Sequence, residues 1–291
     1  TGTCYGVSVA NSCRFINIHN IKGKRLRHLT SFGCTGLGLP RFCSVNHAYD
    51  IHSYTRSFDV HNIAEDISYN YCIGENYNGG GTRTTFNDCY FKPSTEGEPF
   101  YLRIPNNINL TFNRCVFDGI IGTDNKTDES KKYKVNFNDC HLIIDDSNFL
   151  SGSKFTNITV NMVNTTIESY IEPILAENNT ITNKKKVEFR FGENSVFKNN
   201  TFKNLLDVLQ ITNEGAIVEG NKFINTYGYE IILTSALNEL KNIKISNNMF
   251  KTTVNVYSGA GRSVIRSLGN NGIKSVTITN NTIDTSQQNK K

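Results

Sequence analysis

A six-residue pattern of apolar and polar positions recurs along the chain. Each copy has an apolar residue, two polar or small residues, a Cys or Asn, one residue of any type, and a second apolar residue. We call the Cys or Asn place the keyed position. Copies begin at Ala10, Phe86, Phe112, Phe137, Phe197, Val218, Ile245 and Ile278, with a looser copy over 160–167. Such a repeat indicates structural units that stack on one another.

The spacing of the copies predicts the kind of unit. Keyed residues recur at Cys89, Cys115, Cys140, Asn164, Asn200, Asn221, Asn248 and Asn281, mostly in steps of 21 to 27 residues. Two longer steps indicate inserted loops. The flanking segments are rich in Ile, Val, Phe and Thr and alternate apolar with polar, which is typical of strands. We therefore predict an all-β fold, a right-handed parallel β-helix with about 21–27 residues per coil.

The keyed residues themselves suggest two kinds of stack. Asn tolerates a left-handed backbone, so we expect the later keyed residues at tight bends, with their amides hydrogen-bonded from coil to coil. Cysteine is small and apolar enough to pack inward. We therefore expect Cys89, Cys115 and Cys140 to form a buried column of reduced thiols, without a catalytic or redox role.

Composition excludes several classes of function. The chain has 31 Lys+Arg against 26 Asp+Glu, and short lysine runs account for the net charge of +5. This balance gives no support for nucleic-acid binding. No apolar run approaches the length of a membrane span. The eight cysteines include no CxxC pair, which argues against zinc. We expect no metal and no cofactor.

The repeat resembles that of the pectin-lyase-like superfamily of right-handed parallel β-helices, which includes phage tailspikes. The likeness covers roughly residues 5 to 285, so residues 1–285 are expected to form the β-helix and residues 286–291 a polar tail. The missing initial Met and the absence of end caps suggest a fragment of a longer chain. The resemblance implies a homotrimer on a virion tail, extracellular but made in the cytoplasm of a bacterial host.

Titratable residues are concentrated between residues 24 and 75. This stretch holds four of the six histidines together with several arginines and acids. Arg27-His28 and then Phe58-Asp59-Val60-His61 resemble a pattern in phage tail β-helix proteins. Because side chains on a strand alternate, Asp59 and His61 are expected on one face. The 31-residue separation of His28 from Asp59 suggests neighbouring coils. Such clustering points to a functional site.

The residue types in this stretch suit the cleavage of a polymer. A carboxylate beside an imidazole is a plausible acid–base pair, and glycoside hydrolysis usually needs two carboxylates. Arginine binds anionic groups, and tyrosine rings stack on sugars. Elimination aided by Ca²⁺ is less well supported, because the acids alternate with histidines. The candidate catalytic residues are His28, Asp50, Asp59, His61 and Glu65, and the candidate substrate-binding residues are Arg27, His52, Tyr54 and Arg56.

Two functions remain open from the sequence. The first is a phage tail spike that binds and cleaves a bacterial surface polysaccharide or a teichoic-acid-like polymer, as a glycoside hydrolase or a phosphodiester-cleaving depolymerase. The second is a non-enzymatic adhesin or structural spike. The superfamily contains both enzymes and inert spikes, so the fold does not decide between them. The histidine and aspartate cluster favours the enzyme.

Overall fold

The protein is described by a computed structural model of its 291 residues. Side chains are described for residues 68–71, 83–91, 109–118, 132–143, 159–169, 193–205, 208–226, 229–235, 239–251, 264–269 and 271–284. Outside these ranges the structure describes only the strands. Two compact units are present, Thr1–His141 and Leu142–Lys291, and each is considered by itself. No helix occurs among the residues that the structure describes.

Strands account for the regular structure of both units. The N-terminal unit contains β1 (Val7–Asn11), β2 (Arg14–Phe15), β3 (Lys22–Phe32), β4 (Thr35–Gly36), β5 (Phe42–Ile51), β6 (Tyr54–Thr55), β7 (Phe58–His61), β8 (Asp66–Asn70), β9 (Ile73–Gly74), β10 (Tyr77–Asn78), β11 (Arg83–Asn87), β12 (Tyr90–Phe91), β13 (Phe100–Tyr101), β14 (Asn109–Asn113), β15 (Val116–Asp118), β16 (Ile121–Gly122) and β17 (Tyr133–Asn138).

The remaining strands begin at the boundary of the C-terminal unit. They are β18 (His141–Ile144), β19 (Ile158–Val163), β20 (Thr166–Ser169), β21 (Ile174–Leu175), β22 (Ile181–Thr182), β23 (Phe189–Arg190), β24 (Val196–Lys198), β25 (Thr201–Lys203), β26 (Leu209–Ile211), β27 (Ile217–Glu219), β28 (Lys222–Ile224), β29 (Ile231–Thr234), β30 (Ile243–Ser246), β31 (Met249–Lys251), β32 (Ile265–Leu268), β33 (Val276–Thr279) and β34 (Thr282–Asp284).

In each unit the strands stack into long parallel sheets. The first sheet of the N-terminal unit runs β1-β3-β5-β8-β11-β14-β17, and its second sheet runs β2-β4-β6-β9-β12-β15. The C-terminal unit repeats this with β19-β24-β27-β30-β33 and β20-β25-β28-β31-β34, and adds a third sheet, β23-β26-β29-β32. In most coils the chain passes from a strand of the first sheet to a strand of the second sheet, as from β11 to β12 and from β14 to β15. The prediction of an all-β parallel β-helix is confirmed.

The core consists of side chains from the inward row of each sheet. In β11 and β14 every second residue is buried, as a two-residue period requires. The rings of Tyr69, Phe86, Phe112 and Phe137 stack in a column, with centroids 4.9, 5.1 and 5.1 Å apart. Equivalent residues of successive coils are thus in direct contact, and this contact fixes the register.

The predicted thiol column is present in the N-terminal unit. Cys89, Cys115 and Cys140 are buried, and none of them is in a disulfide. The thiol of Cys115 donates to the carbonyl oxygens of Phe86 at 3.5 Å and Asn113 at 3.4 Å. Contact with the Cys115 thiol, together with burial, raises the pKa of the Cys140 thiol. These buried, hydrogen-bonded thiols pack as small core residues.

The predicted amide ladder is present in the C-terminal unit. The Nδ2 atoms of Asn200, Asn221 and Asn248 donate to the Oδ1 atoms of Asn221, Asn248 and Asn281 at 3.0, 3.0 and 2.9 Å. The same Oδ1 atoms also accept from the backbone N–H of the preceding ladder residue, each at 2.9 Å. We call this set the inner ladder. The four asparagines of the inner ladder occupy equivalent positions in successive coils, as predicted.

The backbone reason given for the keyed position was wrong. The left-handed residue is the one before it: φ is 54° at Asp88, 53° at Arg114, 55° at Asn199 and 57° at Asn247. A left-handed residue redirects the chain, so the following side chain turns inward and reaches its counterpart in the next coil. By this rule Asn164, with φ of 51°, is a left-handed residue, and the keyed residue of that coil is Thr165.

Candidate functional site

The predicted site residues lie in the N-terminal unit, outside the residues whose side chains are described. Glu65, His52 and Arg56 lie outside the described residues altogether. The other six lie on strands: Arg27 and His28 on β3, Asp50 on β5, Tyr54 on β6, and Asp59 and His61 on β7. Their backbone register can be compared, while their roles stay predictions.

One register row of the first sheet brings titratable residues together. His28 of β3 pairs with His47 of β5, His47 pairs with Asp66 of β8, and Asp66 pairs with Arg83 of β11. Neighbouring strands of a sheet are about 4.8 Å apart. Four titratable residues therefore follow one another on consecutive coils. His47 and Asp66 belong to the dense stretch of the sequence but were not selected, because their register could not be derived from the motif.

The register gives a different neighbour for His28 than the 31-residue spacing suggested. His28 and His47 are 19 residues apart, so the coils here are shorter than the keyed steps indicate. His61 pairs with Cys43 near the start of β5, and Asp59 pairs with Asn78 of β10. Along β5, Cys43 and His47 are separated by about 13 Å, four residues at about 3.3 Å each. His28 and His61 are thus next to different parts of one strand.

Asp50 lies in a register row that continues into buried aromatic residues. It pairs with Tyr69 of β8, which in turn pairs with Phe86 of β11. The rings of Tyr69 and Phe86 are fully buried. Asp50 therefore shares the row that forms the core from the next coil onward, whereas His47 shares the row of Arg83, whose side chain is exposed.

Further along the same unit, the outward face of the first sheet is covered by amides. Asn87, Asn113 and Asn138 donate from Nδ2 to the Oδ1 atoms of Asn70, Asn87 and Asn113, at 2.9, 2.8 and 2.9 Å. We call Asn70, Asn87, Asn113 and Asn138 the outer ladder. Since each amide is held by the next, this face presents a fixed series of polar groups to solvent.

A second group of side chains surrounds the corner between the two sheets. We call it the corner patch, and its members are Tyr71, Asp88, Tyr90, Arg114 and Asp118. Tyr71 is 55% exposed and Tyr90 is 36% exposed. Arg114 donates from Nε and Nη2 to the two carboxylate oxygens of Asp88, at 2.7 and 2.8 Å. The Tyr90 hydroxyl donates to Asp118 Oδ2.

The charges of the corner patch are held in defined states. The hydrogen bond from Arg114 holds the pKa of the Asp88 carboxyl below its usual value. The hydrogen bond to Asp118, with partial burial, raises the pKa of Tyr90 to about 12. Near neutral pH Asp88 is ionised and Tyr90 is neutral. Sequence reasoning missed this patch, although a signal exists: Tyr71 and Arg114 stand where other copies have Ser, Asn, Asp or Gly.

The described part of the chain contains neither a group of three or more metal-binding side chains nor a membrane-spanning helix. Among the described residues, no three or more His, Cys, Asp and Glu side chains are grouped so as to hold a metal ion. Within the same residues no helix is long and apolar enough to span a membrane. Neither finding bears on the rest of the chain.

Comparison with known proteins gives little further information. No family model matches the sequence, and no curated protein matches it. Among solved structures the chain is similar to a protein described as a mannuronic acid specific polysaccharide family 6 lyase enzyme from human gut microbiota. The identity is 12% and the TM-score 0.49, with 97% of this chain and 78% of that chain covered. A likeness of this degree transfers neither substrate nor activity.

Proposed function

We propose that the protein binds and cleaves a bacterial surface polysaccharide or teichoic-acid-like polymer through the first sheet of its N-terminal unit. The observation that carries the proposal is the register row of His28, His47, Asp66 and Arg83 on four consecutive coils. An imidazole next to a carboxylate forms an acid–base pair, and a guanidinium binds an anionic group of the polymer. A linear polymer suits a row of this kind.

The roles proposed for the row follow from its order. Asp66 pairs directly with His47, so these two residues are assigned to proton transfer. Arg83, which is exposed and follows Asp66 in the row, and Arg27, beside His28, are assigned to binding the anionic substrate. Asp59 and His61 are a second possible pair, because they alternate on β7 with one residue between them. The same set of variants tests the pair of His47 and Asp66 and the pair of Asp59 and His61.

We further propose that the protein is a homotrimeric part of a phage tail that folds in the bacterial cytoplasm before release. The buried thiols that form no disulfide support the folding compartment, because a reducing cytoplasm keeps cysteines in the thiol form. Size-exclusion chromatography with light scattering tests the trimer. A monomer at micromolar concentration would contradict this part of the proposal without affecting the assignment of the site.

The test of the activity compares Asp66→Asn, His47→Ala, Asp59→Asn and His61→Ala with wild type on purified capsule and teichoic acid of the host. New chain ends are measured, and circular dichroism checks folding. Lys134→Ala is the matched control, because Lys134 is exposed and lies in the same register row beyond Arg83. Loss of general acid–base catalysis is expected to slow cleavage by about 10²–10⁴-fold.

Each outcome of this experiment decides between the two functions. A rate lowered in Asp66→Asn and His47→Ala but not in Lys134→Ala supports the row. Full activity in all four folded variants refutes the assignment of the site. If wild type binds the polymer and leaves it intact, the protein is instead a non-enzymatic adhesin or spike.

A further inference from the structure

The keyed position carries different atoms in the two units. In the C-terminal unit its amides form the inner ladder, in which each Oδ1 accepts from a backbone N–H of the neighbouring coil. In the N-terminal unit the same position holds the sulfur atoms of Cys89, Cys115 and Cys140. An amide at this position serves hydrogen bonding, whereas a sulfur atom is in addition a ligand for soft metal ions.

The three thiols lie on consecutive coils in register. The backbone N–H of Val116 donates to the carbonyl oxygen of Cys89 at 3.0 Å. The backbone N–H of His141 donates to the carbonyl oxygen of Cys115 at 2.9 Å. Neighbouring thiols are therefore one coil, about 4.8 Å, apart at the backbone, and Cys89 and Cys140 are about 9.6 Å apart. Cys115 is in hydrogen-bonding contact with both of the other thiols.

The fold holds the sulfur atoms in one orientation in the core. All three cysteines are buried. Each thiol donates to a carbonyl oxygen of the preceding coil, Cys115 to that of Phe86 at 3.5 Å and Cys140 to that of Phe112 at 3.4 Å. The side chains of neighbouring coils thus point the same way, and their sulfur atoms are stacked without water between them.

The surroundings of Cys115 favour an anionic sulfur. Burial raises the pKa of the Cys115 thiol, but hydrogen bonds from the thiols of Cys140 and Cys89 and from backbone groups outweigh burial and lower that pKa. Contact with Cys115 and burial raise the pKa of the Cys140 thiol, against backbone hydrogen bonds that act to lower it. Because a metal ion binds a thiolate rather than a thiol, the backbone hydrogen bonds at both positions also favour a metal-bound sulfur.

The spacing of the sulfur atoms selects the coordination geometry. A bond between a thiolate and a metal ion is about 2.3 Å long, so an ion midway between two sulfur atoms holds them about 4.6 Å apart. This length matches the separation of neighbouring coils, about 4.8 Å, and not that of alternate coils. Two sulfur atoms therefore reach one ion and a third does not, in agreement with the finding that no three or more such ligands are grouped among the described residues.

A site with two thiolates in line suits one class of ion. Zinc prefers four ligands in a tetrahedron, which the column does not offer. Soft thiolates select Cu(I), and Cu(I) and Ag(I) form linear complexes with two of them. The sequence argument against zinc rested on the absence of paired ligands for a tetrahedral site, and it does not apply to a linear one.

We propose that the sulfur atoms of Cys115 and Cys140 bind one soft monovalent ion, Cu(I) or Ag(I), in a linear arrangement between two neighbouring coils. One bond forms between the metal and each sulfur. Counted from two thiols and one monovalent cation, two protons leave to solvent and the bis-thiolate carries a single negative charge. No electron is transferred, so the step needs no oxidant or reductant. The site lies in the core and does not depend on the proposed cleavage row.

Cys140 is the thiol that reports on this pair most clearly. The next keyed residue of the chain, Thr165, has a hydroxyl group in place of the thiol. Among the described residues, Cys115 is therefore the one cysteine at a neighbouring keyed position. Cys89 is less suitable, because Cys72, which lies outside the described residues, directly precedes β9, and β9 pairs with β12.

The test titrates Ag(I) into the full chain labelled with ¹³C at the cysteine Cβ atoms, in chloride-free buffer, and follows the eight cysteine signals by NMR. Each signal is assigned with its Cys→Ser variant. Long incubation is needed, since an ion reaches buried sulfur through local opening of the coils. The signals of Cys115 and Cys140 are expected to shift together. Cu(I) under argon is expected to shift the same two signals, and Zn(II) at equal concentration is expected to leave Cys140 unchanged.

Two variants separate the proposed pair from the rest of the column. Cys115→Ser removes one ligand at nearly constant size, so the Cys140 signal is expected to need at least about tenfold more Ag(I) for half of its shift. Cys89→Ser is the matched control, because Cys89 is buried in the same column but its loss leaves the Cys115 and Cys140 sulfur atoms in place. The response of Cys140 in this control is expected to equal that of wild type. Circular dichroism checks that both variants fold.

A measurement on wild type keeps the proposal testable if Cys115→Ser does not fold. A ¹⁰⁹Ag–¹H correlation is expected to connect one silver nucleus to the β protons of both Cys115 and Cys140. Correlation of that nucleus with Cys140 and not with Cys115 would overturn the proposal. So would a Cys140 signal that ignores Ag(I), one that responds equally in Cys115→Ser and wild type, or one that responds to Zn(II) as strongly as to Ag(I).

Discussion

At the scale of single residues, Tyr90 shows how the surface of a β-helix fixes a polar side chain. Its ring is partly exposed, and its hydroxyl donates to Asp118 on the next coil. Ionising the phenol would remove this donor and place a second negative charge beside the carboxylate. For this reason the pKa of Tyr90 rises to about 12.

The raised pKa predicts how stability depends on alkaline pH. The pKa of a tyrosine in an unfolded chain is about 10. The folded state therefore holds the Tyr90 proton more tightly, so this contribution to stability is complete below pH 10 and is lost as pH rises through about 12. We expect the free energy of unfolding of wild type to fall between pH 10 and 12 more steeply than that of Tyr90→Phe.

Substitution of Asp118 is the control for this prediction. In Asp118→Asn the carboxylate is absent, so the Tyr90 phenol is expected to titrate near its ordinary value of about 10. The measurement is the ¹³Cζ chemical shift of Tyr90, assigned by comparison with Tyr90→Phe. An identical titration of Tyr90 in wild type and Asp118→Asn would contradict the role given to Asp118.

At the scale of the coil, the inner ladder satisfies buried backbone groups. Asn221 accepts at Oδ1 from the backbone N–H and the Nδ2 of Asn200. Its own Nδ2 donates to the carbonyl oxygen of Phe197 at 2.9 Å and to Asn248. Asn200, Asn221, Asn248 and Phe197 are all buried, so no water replaces these hydrogen bonds. The ladder thus links the coils where the chain turns from one sheet to the next.

The keyed position was predictable from sequence because the repeat places a Cys or Asn at a constant offset between two apolar residues. The left-handed residue before it was not, since Asp88, Arg114 and Asn199 share no side-chain chemistry. The neighbour of His28 was not predictable either. The coil length between His28 and His47 is set by connections that carry no copy of the motif, and a change of a few residues there selects another neighbour.

Removal of one amide from the inner ladder is expected to destabilise the C-terminal unit. Asn221→Ala removes the buried hydrogen bonds that its side chain makes with the backbone N–H of Asn200 and with the carbonyl oxygen of Phe197, at a cost of about 3 to 5 kcal/mol. The measurement is the free energy of unfolding in urea. Asn247→Gly is the control, because Asn247 is exposed and left-handed, and its effect is expected within about 0.5 kcal/mol. Equal losses in the two variants would contradict the role of the ladder.

At the scale of the whole molecule, a stack of coils distributes stability unevenly. Each coil contacts the coils before and after it, so stability approximates a sum of coil and neighbour contributions. Aromatic stacking concentrates these contributions in both units: Phe86, Phe112 and Phe137 in the N-terminal unit, and Phe202, Phe223 and Phe250 in the C-terminal unit. Damage to one stack is therefore expected to remain local.

Hydrogen exchange can test this locality. Phe112 stacks on Phe86 and Phe137 with centroids 5.1 Å away on both sides, and its ring is fully buried. Phe112→Ala is expected to cost about 3 to 5 kcal/mol through the cavity it leaves. The lost protection against amide exchange should be greatest over residues 83–141 and least over 193–251, because opening spreads through neighbouring coils. Phe223→Ala, in the middle of the other stack, should give the reverse distribution. If either variant loses protection evenly over both ranges, the molecule unfolds as one cooperative body and the nearest-neighbour description does not apply to it.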